Sequence, residues 1–230
     1  MQEKIITLAV AKKLAEYLAP IAEVLLTRTD DSTPGGDPNT ELSYRAKMAN
    51  DWGADLFVSI HCNAAANPAA SGTETYHAPG SERGARLAGF IQSRLVAALG
   101  LLNRGVKSAN YAVLKRTSMP AALVEIAFIS NPAEEGFLEM PDFQKKCAKA
   151  IALGIADYLG VSLPERGNEE MSGKRKPEEW EVKAVTRALS EGLITQEHDP
   201  TDVPSKAFVL QTELNLKDKI LEKVREMLGK

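Results

Sequence analysis

Cysteine is almost absent from this chain. Only Cys62 and Cys147 occur, far apart and with no C-x-x-C pair, which argues against a thiolate zinc site. Long hydrophobic runs are missing as well. No stretch approaches the roughly 18 apolar residues that a membrane-spanning helix needs, and Met1-Gln2-Glu3-Lys4 has no signal-peptide pattern. Neither sign of charge dominates: 28 basic residues stand against 31 acidic ones, for a net charge of −3. That balance gives no bulk argument for nucleic-acid binding. What is present is a sizeable core. Hydrophobic residues make up 44%, too many for a disordered chain, and 230 residues suit one ordinary domain with a small appendix.

The most informative residue is His61. Leu56, Phe57, Val58 and Ile60 lead straight into it, and Cys62-Asn63 follow. This reads as a buried strand that ends by presenting an imidazole. Ligands and metals of open α/β sheets sit outside the carboxyl ends of strands. A second apolar run, Ala121 to Ile129, carries Glu125 inside it, and a carboxylate there is costly to bury without a role or a partner. A histidine and a glutamate on separate strands suggest metal-assisted hydrolysis. Cys62 adjoins His61, but neighbouring strand residues face opposite sides, so Cys62 is expected to be buried and inert. Read alone, Glu125 also fits a buried ion pair with Arg45 or Arg28, and Glu3 fits a first-turn acid favoured by the helix dipole.

Strands and helices alternate along the chain. Helical spacing marks residues 3–18, 41–52, 81–99 and 143–159. Strands are expected at 21–28, around His61, at 73–78, within 106–114 and at 123–129. Loops are expected at 30–40 and 63–72, where glycine, proline and small residues gather. The pattern predicts an α/β domain, a layered mixed sheet flanked by helices, over residues 1–163. Residues 164–177 are charged and nearly free of apolar side chains, and read as a linker. Residues 178–230 predict a small all-helical unit with two apolar faces, one through Trp180, Val185 and Leu189, the other through Leu216, Ile220 and Val224.

Several segments then point to one family. They are Glu3-Lys4 opening a helix, Leu26-Thr27-Arg28-Thr29-Asp30, Tyr44-Arg45-Ala46 with Ala49-Asn50, Ser59-Ile60-His61-Cys62-Asn63, Gly72-Thr73-Glu74-Thr75-Tyr76, Asn103-Arg104-Gly105-Val106-Lys107, and Met119-Pro120 leading into Val124-Glu125-Ile126 and Phe128-Ile129-Ser130-Asn131. In this order they resemble the zinc-dependent N-acetylmuramoyl-L-alanine amidases of the amidase_3 type, which cleave bacterial cell wall. The resemblance spans residues 2–160 or so. It implies zinc as cofactor, Glu3 and His61 as metal ligands and Glu125 as the catalytic acid–base. It implies hydrolysis of the amide between N-acetylmuramic acid and L-alanine, peptidoglycan as partner, and action at the bacterial cell wall. Phage lysins, exported autolysins and sporulation enzymes all fit.

The family's first histidine lies in a glycine-rich segment after its first strand, upstream of the Glu-Lys motif, and this chain begins after that point. The resemblance therefore implies a first strand and first histidine lying upstream of Met1. A peptidoglycan-binding or regulatory pseudoenzyme lacking that histidine is the alternative. His77 is read as a surface or loop histidine and His198 as a turn residue. Arg28 and Arg45 are read as structural partners of acids such as Asp30. Asn63 either orders the histidine loop or touches substrate. The C-terminal unit weakly resembles wall-targeting appendices.

Overall fold

The computed structural model describes residues 2–30 and 38–164. The linker (Pro164 apart), the helical unit 178–230 and His198 lie outside the described residues. The first helix, α1 (Glu3–Leu18), is followed by α2 (Pro38–Asp51), β1 (Phe57–Asn63), β2 (Thr73–His77), α3 (Glu82–Leu99), β3 (Asn103–Ser108), α4 (Ala112–Arg116), β4 (Ala121–Phe128), α5 (Pro132–Glu139) and α6 (Pro141–Leu159). The four strands form one mixed sheet in the order β1-β4-β2-β3. β1 and β4 run parallel, as do β2 and β3, while β2 and β4 are antiparallel.

Apolar burial sets the layers. Ile6, Val10 and Leu14 of α1, Leu87, Ile91 and Leu95 of α3, and Ile151 and Ile155 of α6 pack on one face of the sheet, against Ala122, Val124 and Ile126 of β4. The opposite face is covered less fully. Ala49 of α2 and Val113 and Leu114 of α4 meet Phe57, Ala121 and Leu123 there. Helix α3 begins on Ser81, whose side chain accepts the Gly84 N–H, and ends on Gly100 in the left-handed conformation, the usual N-cap and C-cap chemistry. Helices α3 and α6 cross closely at Gly154, where a Cβ would stand 2.6 Å from the Ile91 Cα.

Two sequence expectations change, and one helix is added. Residues 21–28 do not form a strand. Strand β1 is an edge of the sheet, and a cleft of about 400 Å³ is lined both by Val24–Arg28 and by Leu56–His61. With no ladder partner beside it, the apolar run stays irregular, because backbone pairing rather than hydrophobicity makes a strand. The strand expected within 106–114 begins earlier, at Asn103, and gives way to α4. Helix α5 was not anticipated at all. Among the described residues no helix is long and apolar enough to cross a membrane.

Candidate active site

Strand periodicity decides which side chains meet. In β1, Val58, Ile60 and Cys62 pack with the larger core and Phe57 with the smaller one, so Ser59 and His61 share the Phe57 face. In β4, Ala122, Val124 and Ile126 face the larger core and Ala121 and Leu123 the smaller, which puts Glu125 on the same face as His61. The register aligns them: His61 is opposite Glu125, and Glu125 is opposite Glu74 of β2. On this face the apolar cover of α2 and α4 gives way to a polar row across three strands. The parallel pairing of β1 and β4 brings their carboxyl ends to one edge, the position expected for a ligand site.

Glu3 reaches the row from the first turn of α1. Its Oε1 lies 2.9 Å from His61 Nδ1 and accepts the Cys62 backbone N–H at 3.1 Å. Burial works to raise the Glu3 pKa, but the bonds to His61 and Cys62 outweigh it and hold the carboxyl below its ordinary value. The other ring nitrogen of His61, Nε2, lies 3.0 Å from Ser59 Oγ. Ser59 was not singled out in the sequence, although its position two residues before His61 on a strand was the available signal. Both side chains of the pair remain part-exposed, Glu3 at 41% and His61 at 38%.

Glu125 differs from both. Its Oε2 is buried and takes no hydrogen bond among the described residues. Burial pushes its pKa up to about 7; the neighbouring His61 pulls it down, and the carboxylates of Glu3 and Glu74 push it up. The ion-pair reading of Glu125 fails, since Arg45 is turned to Glu41 and Thr27, and Arg28 bonds the Lys4 and Asp30 carbonyls and Thr7 Oγ1. Arg28 does meet Asp30, at least at its main-chain carbonyl. Cys62 is 5% exposed in the larger core, and burial pushes its thiol up to about 12, so it is inert as expected. His77 bonds the carbonyl of its own neighbour, Ala78.

Asn63 orders the loop after His61. Its Oδ1 accepts the Ala64 N–H and its Nδ2 donates to Glu74. The same loop is stitched to the end of β4. Ser130 Oγ accepts the Ala65 N–H, Asn131 donates to the Ala70 carbonyl, and Glu134 accepts the Gly72 N–H.

Comparison with known proteins converges on one family. Residues 1–157 match the family model described as Amidase_3: N-acetylmuramoyl-L-alanine amidase. The chain belongs to this amidase family. It is 38% identical over 189 residues to the endolysin of Bacillus phage SPP1, covering 76% of this chain and 67% of that one. It is 37% identical over 159 residues to the N-acetylmuramoyl-L-alanine amidase LytC of Bacillus subtilis, covering 68% of this chain but only 31% of LytC. Among solved structures, the catalytic domain of the amidase CwlV from Bacillus (Paenibacillus) polymyxa var. colistinus superimposes with a TM-score of 0.64 at 38% identity, covering 70% of this chain and 86% of that one. The amidase from Clostridium difficile 630 does so with a TM-score of 0.65 at 35% identity.

Membership raises the question of zinc. Two protein donors on a tetrahedral zinc stand roughly 3.4 Å apart. Glu3 Oε1 and His61 Nδ1 lie closer than that, at 2.9 Å, as a hydrogen-bonded pair, so a metal held by both would take the place of this bond. A carboxylate and an imidazole suit the ion, and the unpartnered Glu125 stands beside them in register. A catalytic zinc usually has three protein ligands, however, and no cluster of three or more candidate donors occurs among the described residues. The described residues thus fit two ligand positions and supply no third.

Proposed function

We propose that this chain hydrolyses the amide between N-acetylmuramic acid and the L-alanine of the peptidoglycan stem, at the bacterial cell wall, with zinc as cofactor. The observation that carries this reading is the orphaned Glu125 carboxyl, aligned in register with the His61–Glu3 pair. Glu3 and His61 would hold the metal. When bound, zinc supplies Lewis-acid polarisation of an amide carbonyl and lowers the pKa of water. Glu125 acts as the proton carrier: it takes a proton from the attacking water and delivers it to the leaving L-alanine nitrogen. A carboxyl with no competing hydrogen bond among the described residues and a pKa of about 7 accepts and releases a proton near neutrality. Glu74 and Asn63 hold the loop that borders the site.

The test pairs zinc content with hydrolysis. The purified 230-residue chain should retain zinc after desalting and release stem peptides with a free L-alanine amino group from cell-wall sacculi. His61→Ala should lose both properties. Zinc-free chain that binds sacculi without cutting them would favour the second reading, a peptidoglycan-binding pseudoenzyme, which the two-donor site also suits.

Ser59 adds a finer prediction. If His61 gave Nδ1, the nitrogen that faces Glu3, to a metal, its proton would sit on Nε2, where Ser59 Oγ at 3.0 Å would accept it and fix the ring's tautomer. Removing such a supporting partner costs about 10- to 100-fold in metal affinity. Ser59→Ala should therefore weaken zinc binding by that factor in a chelator competition titration, with an unchanged circular dichroism spectrum.

A further inference from the structure

Glu74 carries more positive charge than it needs. It is 2% exposed, and both its oxygens are engaged. Oε1 accepts from Asn63 Nδ2 at 2.6 Å and from the Tyr76 hydroxyl at 2.8 Å. Oε2 accepts from Arg104 Nε at 2.9 Å and from Lys107 Nζ. Burial alone would raise its pKa, but the bonds from Lys107, Arg104 and Tyr76 keep it lowered. One cation would neutralise this carboxylate. The second leaves a local surplus of one positive charge.

That second cation is there because of a backbone device. Arg104 and Lys107 are three residues apart, so a regular strand would point them to opposite faces. The β2–β3 register shifts between Thr73↔Asn103 and Thr75↔Val106, so three steps along β3 answer two along β2. Gly105 within this bulge has φ +83°, a conformation that glycine adopts without strain. The extra residue swings Lys107 onto the side of Arg104, and both reach the same oxygen. A lone buried acid explains one of these cations; it gives no reason for a bulge that recruits the other.

Both cations are held yet open to solvent. The Arg104 guanidinium lies 4.8 Å from the Phe128 ring centroid, and Lys107 Nζ lies 5.8 Å from that of Tyr76. Their side chains remain 32% and 38% exposed. Among the described residues, Arg104 Nη1 donates to the Ser71 carbonyl at 3.3 Å, Arg104 Nη2 donates no hydrogen bond, and Lys107 Nζ bonds Glu74 alone. Glu74 is directly opposite Glu125 in the antiparallel register, so the carboxylate that gathers the two cations lies one strand beyond the proposed proton carrier, and the cations themselves come from the next strand, β3.

The geometry points to an anion subsite formed by Arg104 and Lys107 on the buried Glu74, which takes a free carboxylate of the peptide stem beside the scissile amide. This rests on the peptidoglycan reading above and adds to it a preference for stems with a free rather than an amidated carboxyl. A charge-assisted bond from the free Arg104 Nη2 with a second from the neighbouring ammonium is ordinary chemistry for holding a carboxylate.

The test uses the full chain and two probes, N-acetylmuramoyl-L-alanyl-D-glutamate and its counterpart with every carboxyl amidated, with binding read by calorimetry. The native chain should bind the acid about tenfold more tightly than the amide, a difference of about 1.4 kcal/mol. Lys107→Gln leaves Glu74 paired with Arg104 and removes only the surplus charge; it should abolish most of that preference, and Lys107→Arg should restore it. Equal affinity of the native chain for both probes, no binding of the acid, or an unchanged preference in Lys107→Gln would overturn the subsite. Cleavage of an uncharged stem by the native chain reports separately on the amidase reading. Activity there without any preference for the acid would sink the subsite and leave the amidase standing.

Discussion

Glu125→Gln should reduce release of L-alanine-terminated stems from sacculi by at least a hundredfold, because general acid–base groups contribute about 10²- to 10⁴-fold and glutamine carries no transferable proton at neutral pH. The same substitution should make the fold more stable, which separates a chemical role from a structural one. The native carboxyl is buried with an unbonded oxygen, and its folded pKa of about 7 lies above the ordinary value of 4.5. The sign follows from linkage. Below about pH 4 the carboxyl is protonated in both folded and unfolded chains, and the native and variant proteins differ little. As pH rises, the unfolded carboxyl ionises first, so the folded state loses stability until the pH passes the folded value. Glutamine escapes that loss. Urea unfolding of metal-free protein should therefore show the variant's advantage growing from near zero at pH 4 to a plateau above pH 7 of a few kcal/mol at most. A variant that is less stable at pH 8 would mean that Glu125 has a buried partner and that its role is structural.

The sequence disclosed this pair because His61 and Glu125 break apolar runs, and a polar side chain inside such a run is visible without coordinates. The helices α1, α3 and α6 were legible for a related reason: their apolar residues recur with helical period, and Ser81 and Gly100 mark both ends of α3. What depends on pairing was not legible. The run 21–28 has strand composition but no ladder partner, so it stays irregular. β3 has the reverse history. Asn103-Arg104-Gly105 looks like a turn, yet it is a strand because β2 lies alongside it. The roles of Ser59 and Glu74 depend on register and on a bulge, and neither is encoded in local composition. Helix α5 could have been found. Asn131-Pro132-Ala133-Glu134 places a capping side chain, a proline at the first helical position and an acid at the third, and Asn131 does cap the helix.

That overlooked acid carries the largest expected effect on stability. Glu134 is 4% exposed, and its two oxygens serve two different segments. Oε1 accepts the Gly72 N–H at 2.7 Å, at the end of the loop that follows His61, and Oε2 accepts the Phe128 N–H at 2.6 Å, at the end of the Glu125 strand. The Gly72 segment cannot turn to another acceptor. Gly72 has φ +108°, and a Cβ there would stand 2.4 Å from the Leu102 carbonyl oxygen, so its backbone is fixed by close approach. Glu134→Ala leaves two buried N–H donors without partners, each worth about 1–3 kcal/mol. The expected loss is about 3–5 kcal/mol, or roughly 10–15 °C in the melting temperature of a domain of this size. Glu134→Gln keeps one acceptor but turns an NH2 group toward the other N–H, so it should recover only part of the loss. Glu139→Ala, an exposed acid on the same helix, should stay within about 0.5 kcal/mol of the native chain. Because Gly72 leads into β2 and Phe128 closes β4, the damage should also reach the row of Glu74, Glu125 and His61. Glu134→Ala should then lose peptidoglycan hydrolysis at temperatures below its melting point, while Glu139→Ala retains it. A Glu134→Ala protein that melts with the native chain would mean that water replaces the carboxylate at both N–H groups, and that the loop is held by Ser130 and Asn131 instead.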